Sequence, residues 1–164
     1  MASRRAPAAD VVLRPAAAGD LDEIVAIERL AFSDPWSRAS FEQLLGNSAV
    51  RFTVAERPFG RASAVAGYAV AWFVVEQAEI ANLAVAPSAR RHGVGARLLD
   101  DAIAHAAERG CDALFLEVRD SNVAARALYA SRGFRQIARR RKYYRNPIED
   151  ALVLRRDVAP QDAR

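Results

Sequence analysis

The chain has 164 residues, of which 52% are hydrophobic and 27% charged, with a net charge of +4, one cysteine and two histidines. This suits one ordinary domain and excludes disorder over most of its length; the lone Cys111 excludes an internal disulfide scaffold and a Cys-rich zinc site. No apolar run approaches the roughly 20 residues of a membrane helix and no secretion signal opens the chain, so a cytoplasmic protein with no membrane partner is expected, and its mild basic excess fits an anionic ligand without selecting nucleic acid over a phosphorylated cofactor.

Residues 1 to 10 and 157 to 164 lack periodicity and are expected to be mobile tails around one domain spanning 11–156. Val11 to Arg14 predicts a first strand. Asp20, with Glu23 at capping-box spacing, opens a helix whose Leu21, Ile24, Ile27 and Ala31 share a face. Ser33-Asp34-Pro35 stops it, and Ser37 caps a short second helix carrying Phe41, Leu44 and Leu45 that Gly46-Asn47 ends. Arg51 to Glu56 and Ala64 to Val74 predict an antiparallel hairpin, followed by a strand from Glu79 to Val85. A long helix then runs from about Gly93 to Arg109, burying Val94, Leu98, Ala102 and Ile103, with Gly110 at its C′ position. Ala113 to Val118 is nearly all apolar, as a central strand covered on both faces must be, and its position after a helix implies a βαβ unit. Asn122 to Arg132 forms a last helix closed by Gly133, and Phe134 to Ile137 and Leu152 to Leu154 supply late strands around a turn at Asn146-Pro147.

The segment Arg90-Arg91-His92-Gly93-Val94-Gly95-Ala96 joins a strand to a helix start, where two glycines let a ligand approach backbone N–H groups that the helix dipole biases toward an anion. It reads as a phosphate cradle or as an ordinary connection. A P-loop is excluded because Gly95 is followed by Ala96 and Arg97 rather than Lys and Ser or Thr. Leu98 stands where a dinucleotide fingerprint wants its third glycine, which weakens that reading. Glu117 is enclosed by Leu114, Phe115, Leu116 and Val118, a costly setting for a carboxylate unless it is paired or used. It is either salt-bridged to Arg119, Arg126 or another arginine, or a partly desolvated general base. Tyr129 reads as a buried tyrosine eligible as an acid, and Asn122 as an N-cap. His92 and His105 fit no metal spacing and read as surface side chains, so no metal is expected. Arg139-Arg140-Arg141-Lys142 with Tyr143 and Tyr144 reads as a solvated strand face or as a basic, aromatic RNA-docking patch.

Several ordered pieces together resemble the GNAT N-acetyltransferases: Asn82-Leu83-Ala84-Val85, the Arg90 to Gly95 segment, Leu116-Glu117-Val118-Arg119 with Ser121-Asn122, and Ala127-Leu128-Tyr129 with Gly133-Phe134. Asp34-Pro35-Trp36-Ser37, Arg141-Lys142-Tyr143-Tyr144 and Glu149-Asp150-Ala151 are similar to the RimI type, which acetylates the N-terminal alanine of a small-subunit ribosomal protein. The resemblance covers about residues 11 to 155. It implies an α/β (α+β) fold with a mixed sheet of about seven strands, about four helices on both faces, and a splay between two parallel strands. It also implies acetyl-CoA as co-substrate, with its diphosphate on Arg90, Arg91, His92, Gly93, Val94, Gly95 and Ala96, and its pantetheine arm along Leu83, Ala84 and Val85 and held farther along by Asn122. On the same resemblance Glu117 is the base, Tyr129 the acid, and Trp36, Tyr143 and Tyr144 flank the acceptor. A monomer without direct nucleic-acid binding is expected.

Overall fold

A computed structural model describes residues 11–59 and 62–158, Phe59 as backbone alone. The expected N-terminal tail therefore lies outside the described residues. At the other end the last strand runs through Asp157, and Val158 is buried, so the ordered chain continues past the expected boundary at 156. Seven strands make one mixed sheet in the order β1-β2-β3-β4-β5-β7-β6. They are β1 (Val12–Pro15), β2 (Val50–Phe59), β3 (Ala62–Val74), β4 (Gln77–Val85), β5 (Ala113–Arg119), β6 (Arg135–Arg145) and β7 (Ile148–Asp157). The helices are α1 (Leu21–Ala31), α2 (Arg38–Glu42), α3 (Val94–Glu108) and α4 (Val123–Ser131). Strands β4 and β5 pair in parallel and the other neighbours antiparallel, the mixed fold that the family resemblance implies.

Period-two alternation divides the core between the two faces of the sheet. Leu114, Leu116 and Val118 of β5 pack with Leu99, Ala102 and Ala106 of α3 and Tyr129 of α4. On the other face, Ile24 and Ile27 of α1 and Phe41 of α2 pack against Val54, Tyr68 and Val70. Phe41 stands edge-on to Tyr68 at 5.6 Å. Helices α1 and α2 thus cover one face, and α3 and α4 the other. A bulge in β4, opposite Val70 and Ala71 of β3, sets Asn82 opposite Val70 and Ile80 opposite Ala71, leaving Ala81 without a partner. One unpaired residue reverses the alternation beyond it. Ala78 and Ile80 therefore point toward α3, whereas Asn82 points toward α1 and hydrogen-bonds Glu28.

Local signals are realised unevenly. Ser37 caps α2 through Ser40 N–H, and Gly110 follows α3 with φ of 72°. The capping box expected at Asp20 and Glu23 does not form. The Asp20 carboxylate instead accepts from Arg14 and from the Ala17 N–H at 2.8 Å, and the Arg14 guanidinium holds it below the usual carboxylate range. Glu23 reaches across to accept from the Val65 N–H at 2.8 Å. Ala31 is exposed, and Val25 and Glu28 join Leu21, Ile24 and Ile27 in the buried face of α1. The hairpin strands are longer than their apolar runs, because β2 continues through Pro58.

Candidate active site

The pairing of β4 with β5 runs from Gln77↔Ala113 to Ile80↔Leu116 and stops there. Beyond it the strands diverge, so the β5-facing edge of β4 from Ala81 onward offers backbone donors and acceptors without a strand partner. Leu83, Ala84 and Val85 lie on this edge, and their other edge is tied to Ala69, Tyr68 and Gly67 of β3. The side chains of Leu83 and Val85 face α3 and α4, close to Gly95 and Leu128.

At the end of β4 a turn of 3₁₀ helix over Pro87–Ala89 leads into the arginine and glycine segment. Arg91 and Gly93 adopt left-handed backbone, with φ of 64° and 76°. That conformation costs nothing at Gly93 and about 1 kcal/mol or more at Arg91. Gly93 supplies no side-chain cap, and the first intrahelical bond is from the Arg97 N–H to the Gly93 carbonyl at 3.1 Å. The N–H groups of Val94, Gly95 and Ala96 therefore have no acceptor within the helix, and the positive end of the dipole adds to them. Arg90 and Arg91 are exposed beside this cradle. The donor set fits a diphosphate. The His92 ring is half-buried and its Nδ1 lies 3.3 Å from the Ala89 carbonyl oxygen, within the turn itself.

Glu117 lies one residue past the last residue of β5 paired with β4, with its side chain on the α1 face beside Trp72 and Phe115, opposite to that of Tyr129. It is 19% exposed and its Oε1 meets Arg140 Nε at 2.8 Å. The salt bridge foreseen for this carboxylate is thus real, and its partner is Arg140, while Arg126 pairs with Asp120. The Tyr143 phenol lies beside Glu117, and the carboxylate together with burial raises it above its ordinary value. Tyr144 stacks on the Arg119 guanidinium at 4.2 Å, and burial pushes its phenol up to about 12. Tyr129 is buried against Phe134 at 5.8 Å, and burial likewise pushes it up to about 12, with the nearby Tyr144 adding to the shift. Asn122 accepts from the Ala125 N–H at 3.2 Å, so its side-chain oxygen serves as the N-cap of α4. Trp36 is half-buried and packs on Phe41 at 5.5 Å.

The structure thus gathers Glu117, Tyr143 and Tyr144 at the point where β4 and β5 part on one face and Tyr129 on the other, with the glycine cradle past the far end of β4. Two further carboxylates went unnoticed in the sequence. Glu79 shares a groove of about 270 Å³ with Trp72, Phe115, Glu117 and Arg140. Burial, and then the charge of Glu117, raise the Glu79 carboxyl above its ordinary value. Glu28 of α1 is 1% exposed. It accepts hydrogen bonds from the Tyr68 hydroxyl, from Asn82 Nδ2 at 2.7 Å and from the Trp36 N–H at 3.0 Å. It therefore ties the segment before α2 to β3 and to the bulge in β4. The only hint in the sequence is its place on the apolar face of α1. His105 is half-buried against Phe73, at 5.1 Å, rather than on the surface as expected, and burial lowers its pKa. Among the described residues no helix is long and apolar enough to cross a membrane.

Residues 21–134 match the model of the acetyltransferase (GNAT) family. The chain belongs to the GNAT acetyltransferases. Among GNAT relatives, the [ribosomal protein bS18]-alanine N-acetyltransferase of Escherichia coli K12 is 36% identical over 137 residues, covering 82% of this chain and 89% of that one. A Bacillus subtilis protein named as a putative enzyme of the same kind is 35% identical over 136 residues, covering 82% of this chain and 87% of its own. The crystal structure of the ribosomal-protein-S18-alanine N-acetyltransferase from E. coli superposes with a TM-score of 0.80 at 32% identity, covering 94% of this chain and 99% of that one. The fold is also shared with the NatC complex bound to Gag peptide and CoA, at a TM-score of 0.82, 24% identity and coverage of 92% of this chain and 99% of that one.

Proposed function

We propose that this N-acetyltransferase moves the acetyl group of acetyl-CoA to a protein N-terminal α-amine, that of the N-terminal alanine of a small-subunit ribosomal protein, in the cytoplasm. The observation that carries the chemistry is the position of Glu117 and Tyr129 on opposite faces at the point where β4 and β5 part. The bS18-alanine enzyme of E. coli, with the B. subtilis protein named as a putative one, supports the acceptor.

When bound, acetyl-CoA supplies an activated acyl group with a thiolate leaving group. The N–H groups of Arg91 to Ala96 hold its diphosphate, and the open edge of β4 at Leu83 to Val85 receives the amides of its arm. Glu117, directly or through one water, takes a proton from the incoming ammonium. An N-terminal amine has a pKa of about 7.7–8.0 against about 10.4 for lysine, so far less work is asked of the base at an α-amine. As the nitrogen–carbonyl bond forms and the carbon–sulfur bond breaks, a strand N–H near Leu83 donates to the oxygen that gains charge, the nitrogen sheds its second proton to water, and the sulfur leaves as thiolate. Tyr129 contributes a hydrogen bond to the departing sulfur. A phenol pushed up to about 12 holds its proton more firmly than an ordinary tyrosine, so donation without transfer is the role that fits it. Trp36, Tyr143 and Tyr144 flank the acceptor peptide.

The test is mass spectrometry of peptides that begin with alanine, incubated with acetyl-CoA and the enzyme or its Glu117→Gln variant. The wild type adds one acetyl group at the N-terminus; the variant turns over about 10²–10⁴-fold more slowly yet keeps its acetyl-CoA-dependent rise in melting temperature. Near-normal turnover by the variant removes the base assignment, and acetylation confined to polyamines or lysine side chains removes the acceptor.

A further inference from the structure

Arg140 and Tyr143 are three positions apart on β6, and in a regular strand such residues point to opposite faces. Here both reach Glu117. The register explains it: Arg140 stands opposite Ala151 and Tyr144 opposite Glu149, so residues 141 to 143 together face the single residue Asp150. Lys142 turns this bulge with a left-handed φ of 51°. The Asp150 side chain pins it, accepting from the Lys142 N–H at 2.9 Å and from Arg139 at 3.1 Å. Within this exposed basic run Arg139 and Arg140 are held in ion pairs.

Arg140 thus brings a guanidinium onto the carboxylate that the proposed reaction uses as its base. A cation paired with Glu117 at 2.8 Å occupies the position that the acceptor's own cation, its α-ammonium, needs. We propose that Arg140 is a positioning residue for Glu117: it keeps that carboxylate aimed and charge-balanced in the absence of acceptor and yields to the α-ammonium when the peptide arrives. The inference rests on the reading of Glu117 as base. The charged or titratable groups around Glu117 are Glu79 from β4 and Arg140, Tyr143 and Tyr144 from β6, while β7 presents Val153. With Glu79 so near, removal of Arg140 leaves two carboxylates facing each other, and like charges at one site favour protonation of one of them. Arg140 is 58% exposed, so its replacement leaves the core untouched.

The experiment compares wild type with Arg140→Met, Arg140→Lys and, as a distant control, Arg145→Met, measuring kcat and acceptor KM for an alanine-starting peptide across pH. In Arg140→Met the acid limb of kcat/KM moves up by about one pH unit, as loss of a nearby cation requires. Above that limb, its acceptor KM falls about two- to fivefold, because a partly exposed ion pair no longer competes with the ammonium. Arg140→Lys restores the limb, and Arg145→Met behaves as wild type. A merely structural arginine predicts the opposite KM change, a rise, with no movement of the limb. If Arg140→Met keeps the wild-type limb and KM while Glu117→Gln is inactive, the inference about Arg140 is overturned and the base stands. If Glu117→Gln is active, the base reading fails and this inference fails with it.

Discussion

Replacing Gly67 with alanine probes how closely the start of α3 is seated on the sheet. A Cβ at this β3 position would lie 2.8 Å from the Ala84 carbonyl oxygen, 3.2 Å from Leu98 Cδ1 and 3.3 Å from Val94 Cγ1. The first contact is with backbone of β4, which cannot swing aside as a side-chain tip does. The other two belong to the first turns of the helix whose N-terminus forms the glycine cradle. Overpacking costs about 1–3 kcal/mol, and a sub-3 Å approach to backbone places this site near the upper end. Burial of the new methyl and the stiffer unfolded chain return about 1 kcal/mol. The net loss is about 2 kcal/mol, or a fall in Tm of about 4–8 °C for a domain of this size. Thermal and urea unfolding followed by circular dichroism measure it, and the acetyl-CoA-dependent rise in Tm should shrink as well, since relief of the clash displaces Val94 and the amides beside it. A Gly67→Ala protein as stable as wild type, with an unchanged m-value, would refute the reasoning.

Glu28→Ala leaves the Tyr68 hydroxyl, the Asn82 amide and the Trp36 N–H without their acceptor; a loss of about 3–5 kcal/mol in urea unfolding is expected, and a loss under about 1 kcal/mol would show that the three donors find other partners. Tyr129→Phe should lower kcat about 10–100-fold, the value of one hydrogen bond to a charged atom, with little change in acetyl-CoA affinity. Because burial raises the Tyr129 phenol to about 12, the wild-type stability it contributes is complete below pH 10 and is lost as pH rises through 12, so an alkaline limb in kcat below about pH 10 that vanishes in Tyr129→Phe would contradict its assignment as a protonated donor.

Much of the fold was legible in short stretches of sequence. The apolar run of β5, the amphipathic face of α3 with Gly93 before it and Gly110 after it, and the Ser37 cap each depend on residues within a few positions of one another. Glu117 was legible for the same reason: a lone carboxylate in an apolar strand stands out without knowledge of its partners. Asp20 shows the limit of such reasoning, since a capping-box spacing yields when a nearer, stronger partner such as Arg14 claims the carboxylate.

Composition and periodicity therefore determined the elements, their order and the place of the glycine cradle, because propensity, capping and helix-dipole effects act over one or two turns of chain. Tertiary structure alone decided which side chains meet at the site. Glu28 binds Tyr68 and Asn82 across separations of 40 and 54 residues. Tyr143 joins Arg140 at Glu117 because β6 carries two extra residues opposite Asp150, and Asn82 faces α1 because one residue of β4 is left unpaired. A one-residue bulge shifts every later side chain to the other face, and a two-residue bulge re-aims those within it, while the strand's own pattern of residue types is unchanged, so the consequences emerge only when neighbouring strands are held in register by the whole sheet.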